Sequence, residues 1–325
     1  MTTRDGSDSN DGSDSNDGND AGPGDDGLLV EPDLAILDPP QRVSGMRVPD
    51  GWTLPGKPEG LSADATDAWR QSGFVLADDL RLLAANLDLQ AKMAAAGRAP
   101  GARTMTMAAI ASLWSRAFST TSDAAGLVRR GGYQSAIPLV RQAVELVGAQ
   151  RGLGSDLDEF KRWVHSAYAT HAETRADDIG LGHYFSGESI ADDEHLRLIY
   201  RAASDFGRPN FGPTALFTAA AATHERYPLL FADEAFHFGW GQMLFGWLLR
   251  TGLNQLHLAM HARDHFPAAD ELREAVVAHV RAAEALLDDP ARCRVEPYED
   301  ADLRQRHLIL QFRRQSADAP RRLLI

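Results

Sequence analysis

Three histidines, His257, His261 and His265, stand four residues apart, the spacing at which side chains on one helix face share a cation. Upstream, Glu234-Ala-Phe-His237 supplies one Glu-x-x-His unit, of which di-iron helical bundles use two. No second unit occurs in the chain. On a helical wheel Glu234 and His237 fall on the far side from His257, so one helix cannot complete such a site. Asp192-Asp-Glu-His195 and His165 would have to come from other helices. The alternatives are a metal-dependent bundle enzyme and plain surface or helix-end histidines.

At about 100° per residue, Arg250 shares its helix face with Met243, Trp247, Asn254, His257, His261 and Asp264. Phe238, Phe245, Leu248, Leu249, Leu256 and Ala259 lie opposite. The polar run reads either as a catalytic groove or as the solvated side of an amphipathic helix. Arg141 and Glu145 are four apart among apolar neighbours, within pairing reach. They are either an ion pair that locks helix packing or an anchor for a ligand phosphate or partner helix. The single cysteine, Cys293, sits between Arg292 and Arg294; flanking cations lower a thiol pKa, but a lone Cys in a turn reads as structural. One cysteine also excludes an intrachain disulfide and points to a reducing, cytoplasmic setting. A Gly-rich phosphate loop, a nucleophile elbow and a Cys-x-x-Cys pair are all missing from the sequence, and no cofactor is expected.

The elements that must position these groups are helical. Periodicity and punctuation predict helices near 64–96, 104–130, 135–151, 156–179, 191–206, 213–226, 229–264 and 268–288, with a weaker one near 300–315. Ser62, Ser155 and Ser189 suit N-caps; Pro213, Pro228 and Pro267 suit first turns. Gly131-Gly132, Gly152 and Gly207 suit C-caps. No stretch alternates every two residues with a Val/Ile/Thr bias. The expected fold is an all-α bundle of seven to nine helices. Gly239, Gly241, Gly246 and Gly252 fall inside the long helix, where each costs about 1 kcal/mol relative to Ala. Close approach of a helix from the same or a second chain would explain them, and a homodimer is expected on that ground.

Three zones divide the chain: an acidic low-complexity tail over 1–26, a proline-rich irregular segment over 27–60 and a helical domain over 61–325. Asp-Gly-Ser-Asp-Ser-Asn occurs at 5–10 and again at 11–16, a composition that stays disordered. An EF-hand register fails there, because setting Gly12 sixth puts Ser7 first and Gly18 twelfth. Within 27–60, apolar pieces such as Leu34-Ala35-Ile36-Leu37 are expected to lie extended across the domain. The uncharged run Ala235 to Leu249 is shorter than the roughly 18 residues of a membrane span, so no membrane partner is expected.

Net charge is −13, yet it is unevenly spread. Residues 1–26 hold eight Asp against Arg4, whereas Ala291 to Ile325 holds eight Arg against five acids, net +3. The mildly acidic body excludes a general polyanion binder, and no DNA is expected. The basic end either touches RNA or the acidic tail, or is a solvated helix end. Arg outnumbers Lys 30 to 3, which suits a GC-rich bacterial genome.

Two segments carry a family resemblance. Leu127-Val-Arg-Arg-Gly-Gly-Tyr-Gln-Ser-Ala136 runs into Ile137-Pro-Leu-Val-Arg141-Gln-Ala-Val-Glu145, and Ile199-Tyr200-Arg-Ala-Ala-Ser204-Asp-Phe-Gly-Arg-Pro209 follows. Together they resemble uncharacterised bacterial helical proteins related to the HEPN superfamily, over about residues 105–265. Where that pattern has His before Pro, this chain has Arg208. The resemblance implies a HEPN-like core and, as in active HEPN ribonucleases, an Arg-x(4–6)-His motif on a late helix, usually completed across a dimer. Arg250-Thr-Gly-Leu-Asn-Gln-Leu-His257 fits the long end of that spacing. His257 would act as general acid or base and Arg250 would stabilise phosphate charge, with Asn254 between them. Three functions therefore stand open. The first is a non-catalytic binding or regulatory protein in a stress or defence setting, the second a metal-independent ribonuclease using Arg250 and His257, the third a metal-dependent bundle enzyme. RNA or a nucleotide is the partner class the first two share.

Overall fold

The computed structural model describes residues 42–152, 186–219, 222–299 and 305–325. The fold is mostly helical, with nine α-helices, one 3-10 turn and a small three-stranded sheet among the described residues. The predicted helix near 156–179 and the segment Leu34 to Leu37 lie outside them. None of the described helices is long and apolar enough to cross a membrane.

The sequence from Ala63 to Ala96 forms two helices, α1 (Ala63–Val75) and α2 (Ala77–Ala96), where one was predicted. Leu76 between them leaves helical geometry, with φ −113° and ψ 31°, and buries its side chain. Ser62 caps α1 as expected, its hydroxyl oxygen accepting the Ala65 N–H at 3.0 Å. Next come α3 (Met105–Arg129) and α4 (Tyr133–Gly152). They are joined at Gly131, whose φ is +80° and where a Cβ would stand 1.9 Å from the Glu234 carbonyl oxygen. Only glycine tolerates both conditions.

Beyond the second described boundary, α5 (Ser186–Ala191), α6 (Glu194–Gly207) and α7 (Phe211–Thr218) follow. Ser189 lies inside α5, and the cap of α6 is Asp193, whose carboxylate accepts the Leu196 N–H at 2.9 Å. The helix expected over 213–226 stops at Thr218. The long helix α8 runs Phe238–His261, against an expectation of 229–264. His237 is its N-cap, and Pro228 starts no helix. The last helix is α9 (Asp270–Leu287).

Central to the bundle, α8 is buried on most of its circumference, and α2, α3, α4 and α9 pack around it. Its glycines are met by this chain's own elements. A Cβ at Gly241 would lie 2.7 Å from Leu76 Cδ1, one at Gly252 2.2 Å from Asn86 Oδ1, and one at Gly239 3.0 Å from the Arg313 carbonyl oxygen. Intrachain packing thus accounts for them, and they give no ground for a second chain.

Where it is described, the segment predicted as a weak helix near 300–315 is instead a strand over Gln305–Phe312. Strands β1 (Arg294–Glu299), β2 (Gln305–Phe312) and β3 (Arg321–Leu324) form an antiparallel sheet in that order, with Val295 opposite Ile309 and Leu308 opposite Leu324. His307 and Ile309 are buried while their neighbours are half-buried, the two-residue period of a strand. A break in register between Ile309 and Phe312, with Gln311 at φ 57°, turns Phe312 inward against Trp240 and His237. The chain leaving β2 then satisfies the start of α8: the Arg314 and Arg313 carbonyls accept the Phe238 and Gly239 N–H groups at 2.8 and 2.9 Å. Those are donors that a helix cannot pair internally.

Candidate functional site

Two cavities adjoin along one groove between α6 and β1. The first, about 390 Å³, is lined by His195, Leu198 and Ile199 of α6, Met243, Trp247 and Arg250 of α8, and Arg292, Cys293, Arg294 and Val295 leading into β1. The second, about 350 Å³, is lined by Glu194, Arg197, Leu198 and Arg201 of α6, Pro297 to Glu299 of β1, and Arg306 and His307 of β2. Leu198 lines both. The groove wall therefore carries Arg250, Arg292, Arg294, Arg197, Arg201 and Arg306, against Glu194, Asp288 and Glu299.

The local fold explains this convergence. Glu194, Arg197, Leu198 and Arg201 are spaced three, one and three apart, one stripe of α6; Leu196, Ile199 and Ala203 on the same helix are buried. Arg292 is drawn inward by Asp79. The two side chains are 4% and 6% exposed and meet at 2.5 Å, and the Arg292 guanidinium also donates to the Gln242 carbonyl at 3.0 Å. Burial raises the Asp79 pKa, and hydrogen bonding and charge from Arg292 pull it back. Next to it, the Cys293 N–H donates to Gln242 Oε1 at 2.8 Å. Burial pushes the Cys293 thiol up to about 12 despite three nearby arginines, so it stays protonated and is no nucleophile.

Of the expected Arg250, Asn254 and His257 set, Arg250 lies in the groove. Its side chain is 16% exposed, and its guanidinium lies 3.1 Å from Asp288, whose side chain is 71% exposed. Asn254 and His257 lie further along α8 and look elsewhere. Asn254 Oδ1 accepts from Arg151 at 3.1 Å, and Arg151 pairs with Asp193 at 2.6 Å. The His257 ring faces His261 at 4.2 Å between centroids; burial and that neighbour lower its pKa. Seven residues of helix separate Arg250 from His257 by roughly 10 Å of rise, and no hydrogen bond in the described structure links the two.

The three-histidine row does not form. The helix ends at His261, because the chain turns at Ala262 (φ −81°, ψ 40°) to bury Phe266. His265 is thereby carried to Thr104, with Nδ1 3.4 Å from its hydroxyl, and Asp264 leaves the face as well. His261 Nδ1 contacts the His257 carbonyl at 2.8 Å. Glu234 is not helical and accepts a hydrogen bond from Ser62 at 2.7 Å, while His237 Nδ1 accepts the Trp240 N–H at 3.3 Å. Among the described residues no group of three His, Cys, Asp or Glu side chains is placed to hold a metal ion.

Arg141 and Glu145 do pair, at 3.1 Å, and Arg141 also reaches the Tyr200 hydroxyl at 3.4 Å and lies over its ring. The Tyr200 hydrogen bond, more than Glu145, raises the Arg141 pKa. The cluster fastens α4 to α6 and lines neither cavity. Sequence reasoning named His195 only as a possible metal contributor and missed Arg197, Arg201, Arg292, Arg294, Arg306 and His307 as site residues. The arginine excess after Ala291 was the available signal for Arg292, Arg294 and Arg306, and nothing comparable marks Arg197 and Arg201. His307 is also tied to Asp205, Nε2 to Oδ2 at 2.8 Å, which fastens β2 to α6. Comparisons of the chain with family models, curated proteins and solved structures find no match.

Proposed function

We propose that this chain is a helical binding protein that takes a phosphate-bearing ligand, a nucleotide or short single-stranded RNA, in the groove between α6 and β1, without cleaving it. One observation carries the reading: arginines from α6, α8 and β2 line two cavities that share Leu198 and total several hundred cubic ångströms, beside Arg292 and Arg294, which are paired with Asp79 and Glu296. Guanidinium groups suit phosphate because their donors form a fork matched to its oxygens. Arg250 is held by a carboxylate that is itself 71% exposed, so an incoming anion can take the place of Asp288 beside a cation already largely withdrawn from water. Tyr298, 40% exposed, offers a ring for base stacking. His257 does not face Arg250 across one ligand phosphate, which weighs against the ribonuclease reading that pairs those two residues. A stress or defence role is compatible with that reading and rests on the HEPN resemblance alone.

Fluorescence anisotropy with a labelled 12-nucleotide RNA, competed by ATP, tests this. Saturable binding is expected, falling steeply with salt, and weakened at least tenfold by Arg250→Ala combined with Arg201→Ala. Absence of binding at 100 µM protein sinks the proposal. Cleavage in excess EDTA that disappears in Arg250→Ala/His257→Ala restores the ribonuclease instead.

A further inference from the structure

A third cavity, unlike the arginine groove in composition, lies between α2 and α3 under the extended segment 43–49. Its volume is about 550 Å³, and its walls include Val43, Met46, Val48, Ala94, Met107, Ala111, Trp114 and Phe118. That size and lining are those of small-molecule sites, apolar with few polar groups. The covering segment is fastened at both ends. Arg42 bridges Thr104 and the Val43 N–H donates to the Arg103 carbonyl at 3.0 Å. Beyond the roof, Asp50 pairs with Arg98, the Trp52 N–H donates to Asp88 at 2.9 Å, and the Trp52 ring meets Phe118 edge-on at 5.0 Å. A fixed roof keeps the space from collapsing onto its floor.

The floor is polar at one point. Gln90 is 2% exposed and lines the cavity. Its Oε1 accepts the Trp114 indole N–H at 2.7 Å, and its Nε2 donates to Asn86 at 2.6 Å. An amide has two N–H donors and two acceptor lone pairs, so each end of Gln90 keeps one position in reserve. At the mouth stands Arg47, exposed and without an ion-pair partner among the described residues.

We propose that this cavity binds a medium-chain carboxylic acid, its hydrocarbon lying between Trp114, Met107 and the roof, and its carboxylate at Arg47. Apolar walls favour burial of the hydrocarbon chain, and the rim cation selects acids over neutral analogues. This site is independent of the phosphate groove, so either can fail without the other.

Isothermal titration of the full-length protein with decanoate and with 1-decanol decides the matter. Decanoate is expected to bind with Kd below about 100 µM and a negative heat-capacity change, the mark of apolar burial. Arg47→Gln should weaken decanoate about fivefold, as an exposed ion pair allows, and leave 1-decanol within twofold. Ala111→Trp, which fills the space from a half-exposed position, should weaken both more than tenfold; Ala94→Leu replaces it if its melting curve departs from wild type. A full chain that takes up no decanoate at 1 mM overturns the proposal, the outcome expected where a piece of this chain or a partner's side chain fills the cavity. So does decanoate binding that a folded, filled variant leaves unchanged.

Discussion

Removing Arg292 exposes the electrostatics on which the groove is built. In the folded protein Arg292 and Asp79 are 4% and 6% exposed and 2.5 Å apart. Breaking such a pair from one side leaves a buried charge without its counter-ion, which costs about 3–5 kcal/mol. The two single substitutions should differ in their response to pH. In Arg292→Met the orphan is a carboxyl whose pKa burial already raises and from which the opposing influence of Arg292 has been taken. Its folded pKa then lies well above the unfolded 3.8. A group with a raised folded pKa gives up stability as pH rises through that value, so the deficit is largest at pH 8. It shrinks as pH falls and the carboxyl takes a proton, by up to about 1.4 kcal/mol per pH unit. In Asp79→Asn the orphan is a guanidinium that does not deprotonate, so it adds no pH dependence of its own. The double variant Asp79→Leu/Arg292→Met leaves no buried charge and should recover to within about 2 kcal/mol of wild type. Urea denaturation followed by circular dichroism at pH 5, 6.5 and 8 measures all four proteins. An Arg292→Met deficit below about 1 kcal/mol at pH 8, or equal pH slopes for the two single variants, would refute the reasoning.

Three further outcomes are expected. Gly252→Ala drives a methyl to 2.2 Å from Asn86 Oδ1, inside the buried chain Trp114–Gln90–Asn86–His279, and should cost about 1–3 kcal/mol in urea melts. His237 is held neutral by burial, its pKa depressed from 6.5 to about 3. The unfolded chain binds that proton first, so stability is whole above pH 6.5 and falls as pH drops toward 3, by on the order of 3 kcal/mol at pH 4.5. Melts of His237→Gln, which cannot titrate, should lack that share of the acid sensitivity, whereas Asp79 works in the opposite sense. Cys293, buried and pushed up to about 12, should resist a thiol reagent at pH 8 in the native protein and react fully in urea; rapid native labelling would contradict its burial.

Helix content was legible because local periodicity and capping act over a few residues. Ser62 before α1, Gly131 after α3 and the apolar circumference of α8 each announce themselves in the sequence. Helix ends were legible only where a cap marks them: His237 opens α8 and Ala262 closes it, and neither residue type signals a boundary. The strand β2 was missed because Leu308-Ile-Leu310 reads equally as helix or strand. Its burial of alternate residues depends on β1 and β3 pairing on either side.

The candidate site divides along the same line. Sequence by itself determined that Arg250 and His257 share a helix face, that Arg141 and Glu145 stand within pairing reach, and that the last segment is rich in arginine, since these are facts of spacing and composition. Which of these side chains meet was decided by tertiary structure. Asp79 and Arg292 are 213 residues apart and find each other only because α2 and the turn before β1 both pack on α8; the glycines of α8 are used up by the same packing. The histidine row fails for a tertiary reason as well, as burying Phe266 requires the chain to leave the helix before His265. Spacing fixes what a helix can present, whereas burial of distant apolar groups decides where the helix stops and what its polar side chains face.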